Sequence, residues 1–445
     1  MTVYASGQED PKWPADKPLA LCLDNFVPVR LHHPPPGTVP DEIVPEGEKK
    51  PKLFESLQLP VTKSLTLKNR IVVSPMCQYS SNDGFVTPYH LAHLGSFALH
   101  GAGTIMIEAS GVTPQGRITP QDCGIYKDEQ IPALTSLVSA LKSFTEGLTV
   151  GIQLAHAGRK ASTWSPFYRG ERNKNEYVTK EEGGWPDEVV GPSALSYGPG
   201  WITPKELTTD QVQEVRQQFL QAAHRSFKSG VDFVELHVAH GYLLHSFVSP
   251  LSNTRKDQYG GSFENRIRLV LEIIQDIKKD FPNKSVWVRI SSTDFAEHVL
   301  KEGKQSWDEE QTKAFAKELT KVGVDVLDCS AGGLVHFQKI APKPAYQLPY
   351  AAGVSSLKLP NLIVGTVGIM EGDHHAGELA EKALQDDDAQ LIFLARGLLA
   401  HPSWPEDAGT ELMGTRPAGN PQYHRVHPAK PGVSKTAPST AQNNN

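Results

Sequence analysis

His237-Val238-Ala239-His240-Gly241-Tyr242 sets two imidazoles and a phenol at the end of an apolar run, Val231-Asp232-Phe233-Val234-Glu235-Leu236. Two imidazole N–H groups can hold one substrate oxygen, and a phenol two residues on has a proton to give. That set suits addition across a polarised double bond. The same letters admit other uses: His-x-x-His is half of many metal sites, and a lone histidine at a strand end is often only a hydrogen-bonded structural residue. A second set suits an anion. Gly365 and Gly368 close one apolar run and Arg396 closes the next. Glycines there let backbone N–H groups approach a phosphate that a guanidinium completes, although a tight turn also asks for glycine. Arg289, at the end of another run, is either a site cation or half of an ion pair closing a rim.

Eight short apolar runs position these groups: Ile71 to Pro75, Thr104 to Ala109, Thr149 to His156, Val231 to His237, Val286 to Ser291, Val324 to Cys329, Leu362 to Gly365 and Gln390 to Arg396. Buried parallel strands read this way. Helical periodicity fills the connections, over Ile131 to Phe144, Thr208 to Ser229 with Thr208 and Gln211 as a capping box, Phe263 to Asp280, and Asp308 to Val322. Strand and helix alternating in this way predict an α/β fold, a (β/α)8 TIM barrel with its chemistry at the strand ends. No Gly-x-Gly-x-x-Gly follows the first strand, so the dinucleotide fingerprint of an open doubly wound sheet is missing. Residues 1–50, with Pro34-Pro35-Pro36 and a charged stretch to Lys50, predict an extended N-terminal arm. Residues 51–427 form the barrel, with a long insertion after strand 3, about 163–197, that is placed to roof the site. Residues 428–445, rich in Pro, Ser, Thr and Asn, predict a disordered tail.

With 39% hydrophobic and 21% charged residues and a net charge of −6, the composition is that of an ordinary soluble globular protein. The chain has no basic cluster to bind nucleic acid and no apolar stretch long enough for a membrane span or a signal peptide. Cys22, Cys77, Cys123 and Cys329 are far apart and include no Cys-x-x-Cys, against structural zinc, an iron–sulfur cluster or a disulfide framework. A cytoplasmic protein with no bound metal is expected.

From Leu53 to about Trp404 the chain resembles the Old Yellow Enzyme family of FMN-dependent ene-reductases. The likeness rests on Leu67-Lys68-Asn69-Arg70-Ile71, Ser74-Pro75-Met76-Cys77-Gln78-Tyr79, Gly116-Arg117, the run from Gly151 to Arg159, the HxAHGY stretch, and the long motif from Ser249 to Arg266. Cys77 with Tyr79 resembles the thermophilic-like branch, where other branches usually carry threonine in place of the cysteine.

The resemblance implies that Ser74, Pro75, Met76, Cys77, Ala109 and Gln153 border the flavin, with Arg289 by its N1/C2 carbonyl edge. A cation there favours the anionic reduced ring. It implies that Gly332, Gly333, Gly365, Gly368, Ala395 and Arg396 hold the phosphate; Ala395 stands where the family usually has glycine. His237 and His240 would bind the activating oxygen of an α,β-unsaturated carbonyl or nitro compound, Tyr79 would lie near it, and Tyr242 would give the proton. NADPH or NADH supplies the hydride. Gln422-Tyr423-His424-Arg425 resembles the segment that carries an arginine into a neighbouring protomer's site, which implies a homodimer or larger homo-oligomer with Arg425 at the substrate. Three rivals remain: a larger flavin barrel of the dienoyl-CoA reductase type, whose cysteine set and length this chain lacks; a metal-dependent barrel hydrolase using His237 and His240; and a flavin-binding protein with little turnover.

Overall fold

The eight apolar runs pair edge to edge into one closed, parallel barrel. In chain order its strands are β1 (Ile71–Val73), β2 (Thr104–Gly111), β3 (Thr149–Ala155), β4 (Phe233–Val238), β5 (Ser285–Ser291), β6 (Val326–Ser330), β7 (Ile363–Thr366) and β8 (Leu391–Leu394), with β8 returning to β1. The computed structural model describes residues 34–167, 176–300, 305–372, 377–423 and 425. A strand covered on both faces gains nothing from polar alternation, and β2 to β5 are buried along their whole length.

Val72, Met106, Phe233, Trp287, Val326, Leu391 and Phe393 cluster as the filling of the barrel. Phe233 and Trp287 stack with ring centroids 3.8 Å apart. Neighbouring glycines make room for the rings: a Cβ on Gly151 would stand 2.2 Å from Phe233, and one on Gly365 would stand 2.3 Å from Phe393. A short antiparallel pair, Leu57–Gln58 with Thr66–Leu67, adds Leu59 and Leu67 to this filling and plugs the N-terminal end. Asp325 ties the plug to the barrel. Its carboxylate accepts hydrogen bonds from Val61 N at 3.0 Å, Thr62 N at 2.9 Å, and the hydroxyls of Thr62 and Ser285 at 2.7 Å each.

The outer helices are α1 (Pro88–Leu99), α2 (Ile131–Phe144), α3 (Thr209–Lys228), α4 (Leu243–Val248), α5 (Phe263–Asp280), α6 (Glu309–Lys321), α7 (Leu348–Ser355), α8 (Glu378–Gln385), α9 (Arg396–Ala400) and α10 (Trp404–Met413). The capping box of α3 forms as its sequence predicts, Gln211 N donating to Thr208 Oγ1 and Thr208 N to Gln211 Oε1. On α5 the residues Ile267, Val270, Ile273, Ile274 and Ile277 are buried at helical spacing, which is why its bounds are readable from the sequence.

From residue 34 the expected arm packs across the N-terminal end of the barrel. Gly37 N donates to Ala418 O at 2.8 Å, Ala418 N to Thr38 O at 2.9 Å, and Asn69 Nδ2 to Gly37 O at 2.9 Å. Val39 joins the main core. Residues 1–33 and the tail 428–445 lie outside the described residues. The insertion after β3 is anchored by Trp185, whose indole N–H donates to Gln115 O at 3.0 Å and whose backbone N–H donates to Ser162 Oγ at 2.8 Å. Among the described residues no helix is long and apolar enough to cross a membrane.

Candidate functional site

His237 sits near the C-terminal end of β4, after which the chain must turn sharply into α4. His240 takes the turn in the left-handed region, at φ 61°, and Gly241 follows at φ 76°; such a conformation in a non-glycine residue needs support. Several bonds provide it. His240 N donates to Ser291 Oγ at 2.9 Å, and Gly241 N donates to His245 Nδ1 at 2.9 Å. Lys160 Nζ donates to the carbonyls of His240 and Gly333, at 2.9 and 3.0 Å.

The turn brings the three expected residues together. The His237 ring lies 5.1 Å from that of His240 and 4.9 Å from that of Tyr242, both edge-on. Burial, reinforced by neighbouring positive groups, holds both histidines well below the usual imidazole range, so each is neutral and carries one N–H. His237 Nδ1 is buried without a partner among the described residues. His240 Nε2 is hydrogen-bonded to Ser330 Oγ at 2.8 Å. Burial pushes the Tyr242 phenol well above its ordinary value, so it keeps its proton.

Lys160 is a site residue that the sequence reading missed. Its ammonium lies 4.5 Å from the Tyr197 ring centroid and 5.4 Å from that of Tyr242. Burial, then the charge of Arg159, push it down to about 7. The available signal was its position, just past the end of β3.

Beneath this trio lies a charged floor. Arg289 on β5 donates from Nε to Asp328 Oδ2 on β6 at 2.5 Å and from Nη2 to Ser74 Oγ at 3.4 Å. Its Nε is 3.8 Å from Glu235 Oε1 on β4. Gln153 Nε2 on β3 donates to that same Glu235 oxygen at 2.7 Å. Burial works against the Arg289 charge, but Asp328 and Glu235 outweigh it and raise the guanidinium further. Burial raises Glu235 to about 8, against the pull of Arg289. Arg289 is thus half of a buried ion pair and also one of the residues that line the cleft beside the trio.

Cys77 and Tyr79 lie on the loop after β1. Burial, then Asp122 and Glu108, push the Cys77 thiol well above its ordinary value, so it is no thiolate nucleophile. Tyr79, at φ 53°, meets Phe167 of the insertion edge-on at 5.7 Å. Ala109 is buried on β2, next to Glu108. Glu108 Oε1 accepts from Gln78 N at 3.0 Å, while Glu108 Oε2 is 3.5 Å and Cys123 Sγ 3.3 Å from His90 Nε2. His90, Glu108 and Cys123 are the three-residue grouping with metal-ligand spacing among the described residues, and neither His237 nor His240 belongs to it. His90 Nδ1 accepts from Thr87 N at 2.9 Å. That leaves the proton of the neutral ring on Nε2, where a metal would have to bind, so the cluster acts as a clamp on the Gln78 turn.

A cleft opens beside the trio, lined by Ser74, Pro75, His240, Arg289, Gly368, Ala395 and Arg396 and also by Ser330, Tyr346, Gln347 and Glu371. Three expected phosphate residues are not among those that line it. Gly365 is a packing glycine against Phe393. Gly332 N donates to Thr293 O at 2.8 Å and Gly333 N to Gln338 Oε1 at 2.5 Å, so neither N–H is free for an anion. Gly333 instead passes so close to the histidine turn that a Cβ there would stand 2.5 Å from His240 Cα. Arg425 is not among the residues that line its own chain's cleft either. It is exposed on a turn beside Tyr423, whose ring stacks on His100 at 5.3 Å, at the end of α1 remote from the site.

The profile of the NADH:flavin oxidoreductase / NADH oxidase family matches residues 52–413. The chain is 44% identical over 334 residues to an NADH:flavin oxidoreductase of Gibberella zeae, covering 73% of this chain and 78% of that one. It is 41% identical over 376 residues to the NADPH dehydrogenase of Bacillus subtilis, covering 84% and 98%. Among solved structures, morphinone reductase superposes with a TM-score of 0.64 at 25% identity, covering 84% of this chain and 92% of that one. A 2-naphthoyl-CoA reductase shares the fold, with a TM-score of 0.67 at 23% identity; the match spans 51% of that longer chain.

Proposed function

The chain belongs to the NADH:flavin oxidoreductase / NADH oxidase family, the Old Yellow Enzyme group of FMN- and NAD(P)H-dependent oxidoreductases, and from that premise we propose that it is an ene-reductase for α,β-unsaturated carbonyl or nitro compounds. The cleft suits a flavin nucleotide. Glu235 Oε2 and Asp328 Oδ1 are buried polar atoms without partners among the described residues, next to the Arg289 that lines the cleft, and a polar ring edge laid over this floor would supply partners. FMN, when bound, accepts hydride from the nicotinamide and passes it to the alkene β-carbon. In this reading Ser74 to Cys77, Ala109 and Gln153 border the ring, Arg289 faces its carbonyl edge, and Gly368, Ala395 and Arg396 take the phosphate.

The protein's own part is to bind, orient and protonate. In this reading His237 and His240 donate N–H groups to the substrate oxygen, His240 exchanging its bond to Ser330 Oγ for the substrate, and stabilise the negative charge that gathers there as the β-carbon is reduced. Tyr242 gives its phenolic proton to the α-carbon. The observation that carries this reading is the convergence of two neutral imidazoles and a protonated phenol at one strand end beside a cation-floored cleft. The test is anaerobic: the purified protein should show a flavin spectrum, bleach with NADPH or NADH, and recover its colour on adding a cyclic enone. Bleaching without recovery leaves a flavin-binding protein with no ene-reductase activity.

Cys77→Ala is expected to shift the flavin reduction potential and the rate of flavin reduction while turnover survives, because the thiol abuts the ring but does no covalent work. An unchanged potential would reduce Cys77 to a small buried side chain.

In this reading Arg425 acts between protomers, which its exposure and its absence from the lining of its own cleft support. A neighbour's guanidinium would offer a planar cation to the flavin-side ligand. Arg425→Ala should raise KM for nicotinamide or enone without loss of FMN, and light scattering should report a dimer or larger. A fully active monomer would end that assignment.

A further inference from the structure

Glu235 is a carboxyl group with no evident place in the reaction, yet it sits at the centre of the floor. It is fully buried on β4, as is Asp328 on β6. The charged and titratable groups facing it are Arg289 from the adjacent β5 and Asp328 from β6, one strand further on. From β3 it meets the neutral amide of Gln153, and its own strand adds His237, held neutral. One guanidinium thus faces two carboxyl groups. Ionising both would leave an uncompensated buried negative charge, which costs several kcal/mol.

Geometry decides which acid keeps a proton. Asp328 takes the direct bond from Arg289 Nε at 2.5 Å, whereas Glu235 is 3.8 Å from that nitrogen and hydrogen-bonded only to an amide. The second oxygen of Glu235 has no partner among the described residues and is free to carry the hydrogen.

We propose that Glu235 is a proton-holding positioning residue: as a neutral acid it fixes the Gln153 amide and leaves the Arg289–Asp328 pair without net negative charge beneath the flavin, and when it is ionised it takes up a proton as the flavin is reduced. This rests on the placement of Arg289 at the carbonyl edge of the ring.

The balance is simple. A hydride from the nicotinamide brings two electrons and one proton, so the flavin site gains one negative charge. Where Glu235 is neutral beforehand, nothing else changes. Where it is a carboxylate beforehand, one O–H bond forms on Glu235 with a proton from solvent, and the charge of the floor and ring together stays constant. Burial, which raises Glu235 into the alkaline range, places that changeover above neutral pH.

The test is a redox titration of the holoenzyme, followed by its visible spectrum from pH 6 to 10. In the native protein the potential should fall with pH at the slope of one proton per two electrons near neutrality, and at twice that slope in the alkaline range until the reduced form also loses the proton. Glu235→Gln, isosteric and permanently neutral, should keep the single slope throughout while retaining FMN. Asp328→Asn frees Arg289 to pair with Glu235, so it should move the break to lower pH. Should Glu235→Gln fail to fold, the native titration still decides, together with a carboxylic C=O band in the reduced-minus-oxidised infrared difference spectrum at alkaline pH. A single slope in the native protein, or a break that persists in Glu235→Gln, overturns the proposal. Arg289→Lys separates the two levels: an unmoved potential there removes the placement of Arg289, while a shifted potential beside a single native slope removes only the role of Glu235.

Discussion

Tyr242→Phe is expected to leave reduction of the flavin by nicotinamide near its native rate and to slow reoxidation by weakly activated enones by ~10² to 10⁴-fold, the usual worth of a positioned general acid. Only the second half-reaction protonates carbon, so only it needs the phenol. The variant should fold well: Tyr242 packs its ring against the cluster of Ala157, Ala161, Trp185 and Val189, and phenylalanine keeps that ring. Because burial holds the phenol well above its ordinary value, the native enzyme should show no alkaline loss of this step from Tyr242 across the ordinary working range. Strongly activated nitroalkenes should suffer less, since water can serve as the acid. Stopped-flow traces that separate the half-reactions provide the check, and equal damage to both would rule out proton donation by Tyr242.

The barrel was legible because a strand buried on both faces reads as a mainly apolar run, and all eight strands fall on such runs. Helix α4 was not, since all six of its residues are buried, His245 and Ser246 among them, so the segment has no polar face and too little length to show a period. The same logic divides the site. The histidines and Tyr242 stand together in one short stretch, so local spacing exposes them. Glu235 and Asp328 lie inside apolar runs, where an acid reads as an interruption. Their meaning comes from strand register, which sets Asp328 opposite Arg289 and Glu235 beside β5, and register is a relation between distant segments. Gly365 follows the same logic: its glycine fits the phosphate pattern in the sequence, while the ring that packs against it, Phe393, belongs to the next strand and is visible only through register. The proline-rich stretch from residue 34 shows no apolar period because it is held mainly by main-chain hydrogen bonds, which leave no trace in side-chain patterning.

Replacing both histidines should have the larger effect on ligand binding. His237→Ala combined with His240→Gly removes both donors, and glycine accepts the φ of 61° at position 240 without strain. Loss of one oxyanion donor typically costs ~10² to 10³-fold. Two donors on one oxygen do not act additively, because either alone still holds part of the charge, so the pair is expected to cost ~10³-fold or more in enone turnover. Phenols that bind as phenolates should lose affinity in parallel, since they present the same charged oxygen. The flavin should remain bound, because the residues assigned to its phosphate and carbonyl edge are untouched. The turn itself should hold as well: the bond from the residue 240 N–H to Ser291 Oγ and those from Lys160 to the carbonyls of residues 240 and 333 involve main-chain atoms of the turn that the substitutions leave in place. Absorbance and phenol titration of the double variant therefore separate the readings. A yellow protein that no longer binds phenol supports substrate donors, whereas a colourless one, or stoichiometric zinc in the native protein lost with these two side chains, would assign the histidines to the flavin or to a metal.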